Sequence, residues 1–226
     1  MPIRPTETVI DWFYALNWMR NNESVKIVAS WWDYGYWITI IGNKTTLADN
    51  GTLNMTQIEY IGWMFLSDET NATNILKKFE SPIQGPVTHV AIFITFDTSG
   101  GDLGWGEESK WRWMARISEK WTNRTDTVYG NSTLGKDWFD TNGDGSAQAN
   151  ELISNGIGNR TIIYKMMQNV KYEVSSQFGA LPDDAFKKHF QLVYTSFGGS
   201  VKDGSYACNK DYLGAYGVIG IFEVKY

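Results

Sequence analysis

Residues 87–96 read Val-Thr-His-Val-Ala-Ile-Phe-Ile-Thr-Phe, a run dominated by β-branched and aromatic side chains without a carboxylate or a lysine among them. Such a run reads as a buried strand, because branched and aromatic side chains suit the pleated surface and none of these wants bulk water. Shorter apolar runs at Lys26–Ser30, Thr45–Ala48, Phe190–Ser196 and Val218–Val224 read as further strands. Between them the period changes. Val9, Trp12, Phe13, Leu16 and Met19 make a helical stripe, and helices are expected near Gln57–Leu66, Ala72–Phe79, Glu107–Lys120 and Arg160–Val174. Tyr36–Ile41 suits either helix or strand, and residues 125–159 are polar and rich in Gly, Asn and Asp. Helices interleaved with strands predict a mixed α/β (α+β) fold, one globular domain with helices packed on a small mixed sheet.

Several function classes fall away on charge and hydropathy. The 226 residues carry 20 Lys and Arg against 25 Asp and Glu, a formal charge of −5, with no basic run to hold nucleic acid or anionic lipid. Neither partner is expected. The single cysteine, Cys208, excludes an internal disulfide framework. No apolar run approaches the length needed to cross a bilayer, and Met1–Pro5 lacks the apolar core of a signal peptide.

The most specific segment follows the Lys26–Ser30 strand: Trp31-Trp32-Asp33-Tyr34-Gly35. Each indole N–H is a donor that wants a partner, and an ionised Asp33 is an acceptor. One small hydroxyl could satisfy all three, taking hydrogen bonds from the indoles and giving its proton to the carboxylate. The alternative is an aromatic core corner in which Asp33 caps a turn.

The stretch Val28-Ala-Ser-Trp-Trp-Asp-Tyr-Gly-Tyr-Trp-Ile38 resembles the signature segment of the oligosaccharyltransferase catalytic subunit, in its archaeal AglB-like form. The resemblance implies that Trp31, Trp32 and Asp33 bind the Ser or Thr two residues beyond the acceptor Asn of a sequon. A second family pattern, Asp-x-x-Lys-x-x-x-Met/Ile, is met at Glu107-Glu-Ser-Lys110-Trp-Arg-Trp-Met114, with Glu in place of Asp. Spacings of three and four put Glu107, Lys110 and Met114 on one side of a helix, as the wall of a pocket would require. An ordinary amphipathic helix with an i,i+3 ion pair and a core methionine has the same pattern.

Members of that family are multispanning membrane glycosyltransferases. Their catalytic carboxylates, a Mg or Mn ion and the lipid-linked oligosaccharide site precede the Trp-Trp-Asp segment. Residues 1–226 are therefore expected to form the C-terminal soluble domain, lying on the extracellular face of the cell membrane and inactive alone. The chain would contribute no catalytic residue and would bind the acceptor polypeptide. The rival class is a secreted, calcium-stabilised carbohydrate-binding module.

Asp140, Asn142, Asp144, Ser146, Gln148 and Glu151 fall at the ligand spacing of a twelve-residue calcium loop, with Gly145 at the sharp turn. Structural calcium is expected there, although Ala147 stands where a paired loop places a larger aliphatic, and a solvated turn is the alternative. Eight Asn-x-Ser/Thr sequons, at Asn22, Asn43, Asn50, Asn54, Asn71, Asn123, Asn131 and Asn159, fit an exported surface or merely an Asn/Thr-rich composition. His89 and His189, with no accompanying motif, are expected to be structural.

Overall fold

The computed structural model describes residues 8–51, 53–118, 158–181, 186–197, 199–200 and 215–226. Among these, six α-helices are α1 (Thr8–Asn21), α2 (Gly35–Ile40), α3 (Met55–Phe65), α4 (Glu69–Lys77), α5 (Glu107–Ile117) and α6 (Ile162–Val174). Six strands are β1 (Ile27–Ala29), β2 (Thr45–Thr46), β3 (His89–Asp97), β4 (Phe190–Thr195), β5 (Gly199–Ser200) and β6 (Ala215–Val224). They form one mixed sheet in the order β2-β1-β3-β6-β4-β5. The β1 pairings with β2 and β3 are parallel, and those of β6 with β3 and β4 are antiparallel. This is the mixed α+β architecture expected from the sequence. The calcium-loop residues Asp140, Asn142, Asp144, Ser146, Gln148 and Glu151 lie outside the described residues.

The long central strand is covered on both faces, which is why its sequence does not alternate. Every β3 residue from His89 to Phe96 is buried. On one face Trp12 of α1 meets Phe93, and Trp18 meets both His89 and Tyr194. On the other, α6 approaches so closely that a Cβ on Gly220 would lie 2.3 Å from a Val170 methyl carbon, with Ile92 beside it. A side chain at 220 would push helix and sheet apart.

Local chemistry sets the helix boundaries. The side chains of Asn54, Asp68 and Thr161 cap α3, α4 and α6 by accepting from the N–H of Gln57, Asn71 and Tyr164. The Tyr36–Ile41 ambiguity resolves as helix. His89 Nδ1 lies 3.0 Å from the Thr88 hydroxyl, and His189 gives its backbone N–H to Glu69, 120 positions away. No helix among the described residues is long and apolar enough to cross a membrane.

Candidate acceptor-binding site

The site forms where β1 stops short of its neighbour. In the parallel pairing Ala29 lies opposite Val90, so β1 ends while β3 runs on to Asp97. Chain leaving the carboxyl ends of adjacent parallel strands opens a crevice. Into it come the pentapeptide, directly after β1, and α5, which follows β3. The pentapeptide is not irregular: Trp32–Tyr34 make a 3-10 turn that passes straight into α2, and the Tyr34 N–H donates to the Trp31 carbonyl at 3.2 Å.

Gly35 permits this arrangement. Its backbone is ordinary helix, φ −55° and ψ −45°. A Cβ there would sit 2.2 Å from the Ala48 carbonyl oxygen and 2.5 Å from Asp49 Cα, both backbone atoms. Helix propensity alone would make Gly35→Ala stabilising by up to about 1 kcal/mol. The clash reverses that sign, and Gly35→Ala is expected to cost about 1–3 kcal/mol, as other overpacking changes do. Thermal denaturation checks it, and an unchanged or raised Tm would contradict the close-approach account.

Within the turn the residues divide by exposure. Trp31 and Tyr34 are buried, whereas Trp32 and Asp33 are partly exposed. The Trp31 and Trp32 rings lie 6.4 Å apart and tilted by 50°. Among the described residues, the indole N–H groups of Trp31 and Trp32 find no acceptor, and nothing donates to Oδ1 of Asp33. The other carboxylate oxygen is taken: Lys110 Nζ lies 2.6 Å from Asp33 Oδ2 and 2.7 Å from the Tyr34 hydroxyl. The same ammonium lies 4.3 Å from the centroid of the Tyr34 ring.

Glu107 and Met114 are placed differently from a pocket wall. Both have no exposed surface. Met114 belongs to the interface of α5 with α3, where Gly62 comes up against its backbone. Glu107 turns inward and accepts the Phe93 N–H on Oε2 at 2.6 Å. That N–H lies beyond the end of β1, so the carboxyl group takes a donor that a longer strand would have paired. Of the three, only Lys110 is partly exposed. Burial pushes the Glu107 pKa up to about 8, reinforced by Glu108 and Asp33 and opposed by Lys110 and the Phe93 N–H. Burial likewise raises the Tyr34 hydroxyl well above its ordinary value, with Glu107 and Asp33 adding to it.

Two features near the site have no counterpart among the sequence motifs. Glu108 accepts from the Trp105 and Gly106 N–H groups and from the Thr95 hydroxyl, closing the amino end of α5. The loop before α5 is tied to α6 by Lys171, which donates to Asp102 and to the Gly100 carbonyl. An acidic first turn is a visible sign of the former. The latter joins residues 69 apart and leaves no local trace.

Residues 24–85 match the family model of the STT3/PglB/AglB core domain. That segment contains the whole pentapeptide. The chain is also 32% identical over 161 residues to the dolichyl-diphosphooligosaccharide–protein glycosyltransferase subunit STT3 of Saccharomyces cerevisiae, covering 69% of this chain and 19% of that protein. The Schizosaccharomyces pombe subunit is 37% identical over 112 residues, 48% of this chain and 13% of that one. The chain thus spans less than a fifth of these relatives. A crystal structure of the C-terminal globular domain of an Archaeoglobus fulgidus oligosaccharyltransferase aligns over 100% of both chains, at 20% identity and a TM-score of 0.49. Among the described residues no three His, Cys, Asp or Glu side chains converge as a metal site.

Proposed function

We propose that this chain is the acceptor-recognition domain of an archaeal AglB-like oligosaccharyltransferase, the enzyme that moves a lipid-linked oligosaccharide to asparagine. It holds the Ser or Thr of an Asn-x-Ser/Thr sequon on the extracellular face of the membrane. The observation that carries this reading is the partnering pattern of the turn. The indole N–H groups of Trp31 and Trp32 and Oδ1 of Asp33 lack partners among the described residues, while the neighbouring polar groups of Tyr34 and Lys110 are engaged. Two donors and one acceptor suit a hydroxyl, which accepts from the indoles and donates to the carboxylate. An acceptor with Ala in place of Thr would bury those groups unmatched, at about 1–3 kcal/mol.

A residue two places after the Asn lies about 7 Å along an extended backbone. Fixing its hydroxyl therefore fixes where the acceptor amide can reach, which is a positioning contribution to transfer rather than a chemical one. The bond-making groups, with the Mg or Mn ion and the lipid-linked donor, would belong to a membrane domain. Calcium bound by the Asp140–Glu151 loop would be structural.

The test is glycan transfer to an Asn-x-Thr peptide by the full-length protein that contains this chain, with Trp32→Ala and Asp33→Ala beside it. Both variants are expected to fall at least about tenfold while their melting curves stay near that of the wild type. Undiminished transfer by folded variants would leave the pentapeptide a structural corner. Binding to soluble glycans with no sequon effect would favour a carbohydrate-binding module instead.

A further inference from the structure

Resting on the clamp reading above, we propose that Tyr34 is a positioning residue: its hydroxyl pins the Lys110 ammonium to Oδ2 of Asp33, so that Oδ1 is the oxygen offered to the acceptor hydroxyl. A lone Lys–Asp pair has no such preference, because an ammonium on a flexible four-carbon stem can bridge either carboxylate oxygen or both. Here the ammonium has a second fixed partner. The Tyr34 hydroxyl accepts from Lys110 at 2.7 Å while Asp33 Oδ2 accepts at 2.6 Å. Two points of attachment, with the ring 4.3 Å from the ammonium, hold Lys110 to one side of the carboxylate.

Tyr34 can serve as an anchor because it cannot move. It is 4% exposed, with the Trp12 ring tilted against it at 4.6 Å and Phe93 edge-on at 6.3 Å. Burial, reinforced by Glu107 and Asp33, keeps the hydroxyl neutral. A neutral phenol offers its lone pair to Lys110. Glu107 is fixed by the Phe93 N–H midway along β3, and the hydrogen bonds of the site itself run from Tyr34 through Lys110 to Asp33. The extra methylene of Glu107, compared with the Asp of the related pattern, lengthens the reach from α5 to β3. Tyr34 touches no substrate in this arrangement.

The experiment is a double-mutant cycle on the full-length protein, reading kcat/KM for an Asn-x-Thr peptide relative to an Asn-x-Ala peptide. Tyr34→Phe keeps the packed ring and removes only the hydroxyl. The Thr/Ala ratio is expected to fall roughly tenfold in Tyr34→Phe, to fall similarly in Lys110→Met, and to fall no further in the double variant. A purely structural role would lower transfer to both peptides and leave the ratio alone. Losses that add in the double variant, or a ratio kept by Lys110→Met, would overturn the proposal, and the Lys110 arm stands even where Tyr34→Phe does not fold. Asp33→Ala separates the two readings. A Thr preference lost in Asp33→Ala but kept in Tyr34→Phe removes only the role given to Tyr34. A preference kept in Asp33→Ala removes the clamp as well.

Discussion

Lys171→Met is expected to destabilise the fold by about 3–5 kcal/mol, the usual cost of removing one partner from a buried ion pair. The Lys171 and Asp102 side chains are only 2% and 5% exposed. Taking away the ammonium would strand a buried carboxylate on which Asp97 already acts, and would also release the Gly100 carbonyl, to which Lys171 donates at 3.0 Å. Burial already raises the Asp102 pKa against the pull of Lys171. Without Lys171 the group would have to take up a proton to stay folded in. Lys171→Met combined with Asp102→Asn removes the stranded charge, and it should recover much of the loss. In a chain of this size the single change corresponds to a fall in Tm of about 6–20 °C, read by calorimetry or circular dichroism. A single variant that melts within a degree or two of the wild type would show that Asp102 finds another partner or water.

The same change has a reading at the site. The segment 97–106 is the strap between β3 and α5. It is held at one end by Asp97, which accepts from the Ser99 and Gly101 N–H groups, and in the middle by Lys171. Freeing the middle of the strap loosens the amino end of α5, and Lys110 is carried on the first turns of that helix. Under the proposed clamp, weaker acceptor discrimination in Lys171→Met at temperatures where it remains folded would therefore accompany the stability loss.

How far the sequence foretells this molecule depends on whether each determinant is local. The buried strand at Val87–Phe96 and the stripe of α1 are legible because burial periodicity is written residue by residue. The strands at β2 and β6 differ from expectation only in their ends. Thr45–Thr46 pairs for two residues, and β6 begins at Ala215, three residues before the apolar run at Val218. The backbone ladder to β3 extends over Tyr216 and Gly217, which composition alone does not mark as strand. The pentapeptide stands out in the sequence and spacing places Lys110 on one side of a helix, but the pairing of Lys110 with Asp33, 77 positions away, is set by the fold. What spacing cannot say is which side of the common face looks outward. Glu107 and Met114 share a side with Lys110, yet α5 is sunk between β3 and α3, so they lie below the crevice. Tyr34 was visible only as part of a motif. Its role depends on contacts with Lys110 and Trp12, 76 and 22 positions away, which only the fold brings together.

Glu107→Gln should reverse part of the wild type's loss of stability with rising pH. In the unfolded chain a glutamate titrates near pH 4.3, whereas the buried carboxyl group in the folded protein holds its proton up to about pH 8. Below about pH 4 both states are protonated and the group costs nothing. Between those values the unfolded state has released the proton and the native state keeps it, so the native state binds more protons and stability falls as pH rises. The full loss, on the order of 3–5 kcal/mol, is reached once the pH passes the folded value. Glutamine keeps an oxygen for the Phe93 N–H but does not titrate, so this slope disappears. The comparison has to be a difference between the two proteins, because the burial-raised Glu108 and Asp102 tilt both curves the same way. Urea midpoints at pH 5 and pH 8 suffice: the stability of Glu107→Gln relative to wild type should rise by a few kcal/mol between them. A constant difference would mean that Lys110 and the Phe93 N–H hold Glu107 ionised, and that the carboxyl group beneath Tyr34 is a charge rather than a neutral acid.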